Sequence, residues 1–274
     1  MKLKILNLSK TETGTITLPR QFVEPLRKDL IKRAFLSIQK SKIQPYGADP
    51  RAGKRSSSEL SRRRKKYRGS YGAGISRVPR KILSRRGTRM MWVGAFAPGT
   101  VGGRRAHPPK ADKIWDEGIN RKERRKAILS SISATMNLDL VKFRNHQTPD
   151  NFPFIIEDKI SSLKQTKELV QNLEAIGFAD ELLRSKKKDT IGVLIVTDKP
   201  SKELVRAAGN LPGVDITSVS ELNVDLLAPG GVPGRMTLFT ESAIKFFEES
   251  KIFTSDYKVQ EEKITKTSEK KKWK

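Results

Sequence analysis

Ile191-Gly192-Val193-Leu194-Ile195-Val196, followed by Thr197-Asp198-Lys199-Pro200-Ser201, decides the fold. An uninterrupted apolar run of this length reads as a strand buried on both faces of a parallel sheet. Around it, strand and helix signals alternate. Residues 152–156 are a short apolar run, and Leu169, Val170, Leu173 and Ile176 form a helical face stopped by Gly177. A helix starts near Pro200 with Glu203 early in it, and 214–217 is the next strand. Ser218 with Glu221 forms a capping box for a further helix. Residues 236–239 and a helix capped by Thr240, with Ala243, Ile244 and Phe247 inward, complete the series. Strands separated by helices imply right-handed crossovers, hence a three-layer α/β/α domain with a mainly parallel sheet.

Upstream, Leu3, Ile5 and Leu8, then Ile16 and Leu18 across Thr13-Gly14, predict a hairpin. A helix follows Pro25, with Leu26, Leu30, Ile31, Ala34, Phe35 and Ile38 at helical spacing, and ends before Pro45. Asn120 with Glu123 predicts a capped helix whose buried stripe is Ala127, Ile128 and Ile132. The chain thus divides into residues 1–44 (hairpin and helix), a basic loop 45–110, the remainder of the globular domain 111–249, and a flexible charged tail 250–274.

The 274 residues carry a formal charge of +26. Charge is concentrated in the loop: residues 45–110 hold 18 basic and 2 acidic side chains, whereas residues 151–249 hold 12 and 15. The loop also has 10 of the 19 glycines and 6 of the 14 prolines, which punctuate regular structure and predict little of it. A basic segment that cannot fold alone can be ordered by phosphates. With 33 residues out and 33 back at about 3.3 Å each, its reach is bounded at roughly 110 Å.

Other classes fall away. Zero cysteines exclude disulfides, thiolate zinc sites and cysteine nucleophiles. His107 and His146 lack carboxylates or a second histidine at ligand spacing, so neither a metal nor a cofactor is expected. The turn after Val196 has no phosphate-binding glycines. Gly47 to Gly53-Lys54 fails as a P-loop, because five residues separate the glycines and Arg55 stands where Ser or Thr is required. No nucleophile elbow occurs, and the chain is not expected to be an enzyme. No apolar run approaches the roughly 20 residues a membrane span needs, and Met1-Lys2-Leu3-Lys4 does not open a secretory leader. A soluble protein that stays in the cytoplasm is expected.

The loop's cations form clusters: Arg51, Lys54 and Arg55; Arg62, Arg63, Arg64, Lys65, Lys66 and Arg68; Arg77, Arg80, Lys81, Arg85, Arg86 and Arg89; then Arg104, Arg105 and Lys110. Arginine outnumbers lysine, which fits bidentate phosphate recognition. Tyr46, Tyr67, Tyr71, Trp92 and Phe96 are interleaved with them, and with His107 they are candidates to stack on unpaired bases. A nuclear-localisation signal would account for residues 62–66 alone, and a solvated charge run for any one cluster; neither accounts for recurrence across the whole loop. RNA binding is therefore the leading reading. General nucleic-acid packaging is the alternative; a nucleotide-dependent enzyme and a membrane-binding protein rank below.

Leu227-Ala228-Pro229-Gly230-Gly231-Val232-Pro233-Gly234-Arg235, followed by Thr240-Glu241-Ser242-Ala243, resembles the C-terminal signature of the universal large-ribosomal-subunit protein four family, in its archaeal and eukaryotic branch. Arg77-Val78-Pro79-Arg80, Gly94-Ala95-Phe96, the run from Gly102 to Pro109, Lys113-Ile114-Trp115, and Asn120-Arg121-Lys122-Glu123-Arg124-Arg125 agree with it in order. The resemblance implies a structural protein of the large subunit. Its loop would penetrate large-subunit ribosomal RNA and help line the nascent-peptide exit tunnel beside the family's neighbour, protein twenty-two. Carried onto this chain, the tunnel-proximal residues would be Arg80, Lys81, Leu83, Arg85, Arg86, Arg89 and Met91. The chain departs from the family at 82–93, where one glycine and several bulky side chains replace a glycine-rich segment.

Overall fold

The structure, a computed structural model, describes residues 1–55, 58, 63–188 and 190–254. In chain order the elements are β1 (Lys2–Leu6), β2 (Glu12–Thr17), α1 (Lys28–Ser41), β3 (Arg80–Arg86), β4 (Arg89–Gly94), α2 (Arg121–Thr135), α3 (Leu138–Phe143), β5 (Ile155–Ile156), α4 (Thr166–Ile176), α5 (Ala179–Lys188), β6 (Leu194–Thr197), α6 (Lys202–Ala208), β7 (Asp215–Ser218), α7 (Val224–Leu227), β8 (Thr237–Thr240) and α8 (Glu241–Ser250). They fall into two units: Met1–Ser41 with the chain from Glu117 onward, and Lys42–Asp116.

The first unit is an α/β domain. Its sheet has the order β2-β1-β5-β8-β6-β7. Only the β1–β2 pair is antiparallel. Period-2 alternation sends Leu194 and Val196 to one face and Val193 and Ile195 to the other. On the first face they meet Ile31 and Ala34 of α1, Ile128 and Ile132 of α2, and Ile244 and Phe247 of α8. On the second they meet Leu169 and Leu173 of α4 and Leu204 and Ala207 of α6. Both faces are covered, which is why the strand sequence is apolar without interruption.

Local signals hold at several ends. Thr240 Oγ1 accepts from the Ala243 N–H at 3.3 Å, and Ser201 Oγ from the Leu204 N–H at 3.1 Å. Gly177 ends α4 in the left-handed region at φ 114°. Others are corrected. The β1–β2 turn spans Asn7 to Thr11, where Lys10 takes φ 64° and Asn7 bonds Thr11, rather than Thr13-Gly14, which lies inside β2. Asn120 occupies the cap position of α2, but its side chain makes no cap hydrogen bond, and Glu123, its expected partner, turns to Arg33. Ser218 bonds Ser220 and precedes only a 3-10 turn, while Asn223 caps α7. Helices α3 and α5, of six and ten residues, had no sequence-based expectation. At the far end Ile252 is buried and Phe253 packs against the same core, so the expected tail is anchored as far as Thr254. Its remainder, from residue 255, lies outside the described residues.

Candidate nucleic-acid interface

The Lys42–Asp116 unit has almost nothing apolar to hold it together. Among its described residues the only buried hydrophobic side chains are Ala95 and Ala97. Close backbone contacts take the place of a core. Ala48 N–H donates to Pro109 O at 3.0 Å, and a Cβ on Gly47 would come within 2.6 Å of Ala111 N. The outgoing and returning arms therefore lie side by side, and glycine is what lets them. Between them β3 and β4 form a hairpin, not foreseen from the sequence, in which Arg86 pairs with Arg89 across Gly87-Thr88. Gly87 takes φ 57°, as the first position of a two-residue hairpin turn requires. Leu83 is the extra residue of a bulge between Ile82 and Ser84 and points outward. Beyond the hairpin, Thr100 Oγ1 donates to Ala97 O at 2.9 Å and Gly103 N–H to Thr100 O at 3.0 Å, closing the Gly94 to Gly103 segment into a compact turn.

Nearly every cation of this unit faces solvent. Arg51, Lys54, Arg55, Arg63, Arg64, Lys65, Lys66, Arg77, Arg85, Arg86, Arg89, Arg105 and Lys110 are exposed, and Arg68, Arg80, Lys81 and Arg104 are half-buried. Arg62 lies outside the described residues. Asp49 is paired with Arg55 at 2.6 Å, and the Arg51 N–H together with Arg55 holds its carboxyl below the usual carboxylate range. Among the described residues the unit's acids are Asp49, Asp112 and Asp116, so its cations are in large excess.

The structure places the aromatic candidates under cations rather than presenting bare rings. Arg77 and Arg64 lie 4.6 and 5.4 Å from the Tyr71 ring centre, Arg68 and Arg85 lie 5.6 and 5.8 Å from Tyr67, and Lys54 and Arg104 lie 5.5 and 5.6 Å from Phe96. Arg85 also donates to the Tyr67 hydroxyl. Tyr46 stacks on Trp115 at 5.6 Å. Trp92 is half-buried opposite Ile82 in the hairpin, and His107 is exposed at φ 47°. Each ring orients a guanidinium or ammonium without discharging it, which leaves planar donors fixed for phosphate or for a stacked base. Leu83 and Met91, the apolar members of the tunnel-proximal set, are both exposed on the hairpin with Arg85, Arg86 and Arg89, while Arg80 and Lys81 start β3 half-buried.

The first unit contains two polar clusters that sequence reasoning missed. Arg235, 2 % exposed, donates to Gly192 O and Leu226 O at 3.0 Å, to Gly213 O at 3.4 Å and to Asp215 Oδ2 at 2.5 Å. Burial pushes its guanidinium below the ordinary arginine value, against the pull of Asp215. Arg144 donates to Pro229 O and Val232 O, and Gly234 takes φ 98° where a Cβ would come within 2.7 Å of the Leu140 carbonyl. The C-terminal signature is therefore a structural clamp. The only sequence signal for it was an arginine beside glycines in an otherwise buried stretch.

The second cluster is His146, Glu181 and Arg184. His146 Nδ1 lies 2.6 Å from Glu181 Oε1, and Arg184 donates to both Glu181 oxygens. Burial lowers the His146 pKa, so the neutral ring donates its Nδ1–H to Glu181. Glu181 is itself held below its ordinary value by Arg184, His146 and the Gln147 N–H, which together outweigh its burial. Both groups bind fewer protons folded than unfolded. Stability is thus expected to be full above the ordinary histidine value of 6.5 and to decline as pH falls below it. A further loss follows below the ordinary Glu181 value of 4.5. Denaturant titrations between pH 7.5 and 5 should show this slope, and His146→Gln should flatten it.

The sequence profile of the ribosomal protein L4/L1 family matches residues 16–250. The large ribosomal subunit protein uL4 of Nanoarchaeum equitans is 44% identical over 268 residues, covering 92% of this chain and 100% of that protein. Those of Archaeoglobus fulgidus and Methanocaldococcus jannaschii are 40% and 39% identical over 265 and 267 residues, each covering 91% of this chain and 99% of the relative. The expectation that this is not an enzyme rests on the same ground, since these relatives are named as ribosomal proteins, a structural class. With an α/β domain that carries the family signature and a profile match over most of its length, the chain belongs to the ribosomal protein L4/L1 family, in its archaeal-type branch.

Proposed function

We propose that the chain is a structural constituent of the large subunit of the cytoplasmic ribosome and binds large-subunit RNA through the Lys42–Asp116 unit. The observation that carries this reading is the unit itself, with exposed and half-buried arginines held on aromatic rings and, among the described residues, buried apolar side chains limited to Ala95 and Ala97. A segment so built gains its order from a polyanion rather than from burial. Phosphates would take the exposed cations, and the arginine planes over Tyr67, Tyr71 and Phe96 would stack on unpaired bases. The hairpin, with Leu83 and Met91 outward, is the element that would border the exit tunnel, next to protein twenty-two. Family membership supports this extension.

Two measurements test the reading. The protein should co-sediment with large subunits through a high-salt wash, and a photo-crosslinker at Met91 should capture nascent chains in translating ribosomes. The packaging alternative predicts equal affinity for duplex DNA and folded ribosomal RNA. A preference of less than about threefold for the RNA would favour packaging.

A further inference from the structure

The two arms of the Lys42–Asp116 unit meet at a series of points that keep nearly one register. Tyr46 stacks on Trp115 with ring centres 5.6 Å apart and planes inclined by 28°. Ala48 N–H donates to Pro109 O at 3.0 Å. A Cβ on Gly47 would come within 2.6 Å of Ala111 N, and one on Gly53 within 2.4 Å of Arg104 N. Lys54 and Arg104 then share the ring of Phe96. As the outgoing arm advances from 47 to 53, the returning arm runs back from 111 to 104, so the arms form an antiparallel stem.

The base of this stem is held by ring faces. Lys113 Nζ stands 4.1 Å from the Trp115 ring centre, so that indole meets both a phenol and an ammonium. Trp115 Nε1 is covered and has no hydrogen-bond partner. What Trp115 contributes is therefore its ring and not its N–H. All of these contacts lie within the chain itself, so they need no phosphate to form. A long loop loses conformational freedom when RNA fixes its two arms. Arms already joined have lost part of that freedom beforehand, which raises affinity without adding a contact.

We infer that Tyr46 and Trp115 are positioning residues, which clasp the base of the basic loop in the free protein and so prepare it for RNA. The inference rests on the RNA-binding reading above, and its first measurement needs no RNA.

In the free full-length chain the Ala48 amide should exchange its hydrogen at least about tenfold more slowly than an unstructured amide, and Trp115→Ala should bring it close to the unstructured rate. Trp115→Ala should also weaken binding of large-subunit RNA by roughly 5- to 30-fold. The salt slope should stay unchanged, because no phosphate contact is removed. Trp115→Phe, which keeps a ring and gives up an unpartnered N–H, should restore most of the affinity. Gly47→Ala parts the arms while leaving both rings in the chain, and it should reproduce both effects of Trp115→Ala. Melting of the α/β domain should be the same in all three variants, since neither residue belongs to its hydrophobic clusters.

An Ala48 amide that exchanges freely in the wild type overturns the inference. So does a Gly47→Ala variant with wild-type affinity beside a weakened Trp115→Ala, since Trp115 would then stack on a base directly. A salt slope lowered by about 1 in Trp115→Ala would mean a lost phosphate contact and would also refute the clasp. If Arg85→Gln with Arg86→Gln keeps wild-type affinity and slope, the RNA-binding reading falls, while the clasp stands or falls on the exchange of Ala48 alone.

Discussion

Removing residues 51–105 is expected to leave a cooperatively folding α/β domain that has lost most of its salt-sensitive affinity for large-subunit RNA. The excision is geometrically mild, because the Ala48 N–H already donates to Pro109 O and the two arms run together at that point. It removes no residue of either hydrophobic cluster of the first unit. It does remove 17 of the 18 basic side chains of residues 45–110. If about ten of these meet phosphates, intact binding should fall on the order of 10⁵-fold between 50 and 200 mM salt. The shortened chain should keep only a small part of that slope. Filter binding across that salt range, with thermal unfolding as control, gives the answer. An unchanged slope would remove the Lys42–Asp116 unit from the interface.

Arg235→Ala is expected to be the most damaging single substitution. The side chain is fully buried and ties carbonyls at Gly192 before β6, Gly213 before β7 and Leu226 in α7; its loss strands the Gly192 and Leu226 carbonyls, while Gly213 O keeps its bond from the Gly192 N–H. A buried acceptor left without a partner costs about 1–3 kcal/mol, and truncating a large buried side chain adds a cavity cost, so a loss of roughly 3–5 kcal/mol in all is expected. At about 2–4 °C per kcal/mol for a domain of this size, the melting temperature should drop by roughly 10 °C. Asp215 is about half exposed, at 52%, so Asp215→Asn should cost less than about 1 kcal/mol. Equal losses for the two variants would mean that the ion pair, and not the carbonyl bonds, is what Arg235 supplies.

These two predictions bear on different parts of the molecule, and the sequence was unequally informative about them. The basic loop is legible because charge, glycine and proline are compositional and need no fold to be seen. Its hairpin is not, since Arg80-Lys81-Ile82-Leu83-Ser84-Arg85-Arg86 alternates poorly and the bulge at Leu83 breaks the period of two. The aromatic candidates are interleaved with cations in the sequence, yet their pairing with particular arginines depends on which turns bring them within 6 Å. The signature ending in Arg235 identified the family without revealing its work, because a buried arginine looks the same in sequence as an exposed one.

By itself the sequence determined the α/β class, the coverage of both sheet faces, the helix ends at Gly177 and Thr240, and the separation of charge from core. All of these are written in local periodicity, capping chemistry or composition. Only the tertiary structure decided that β8, the last strand, lies between β5 and β6, that His146 meets Glu181, that Arg235 reaches three carbonyls, and that Arg144 reaches Pro229 O. Periodicity states that a face is buried but not what buries it. Those partners are chosen by crossovers that close over long stretches of chain, where polar groups removed from water must find one another.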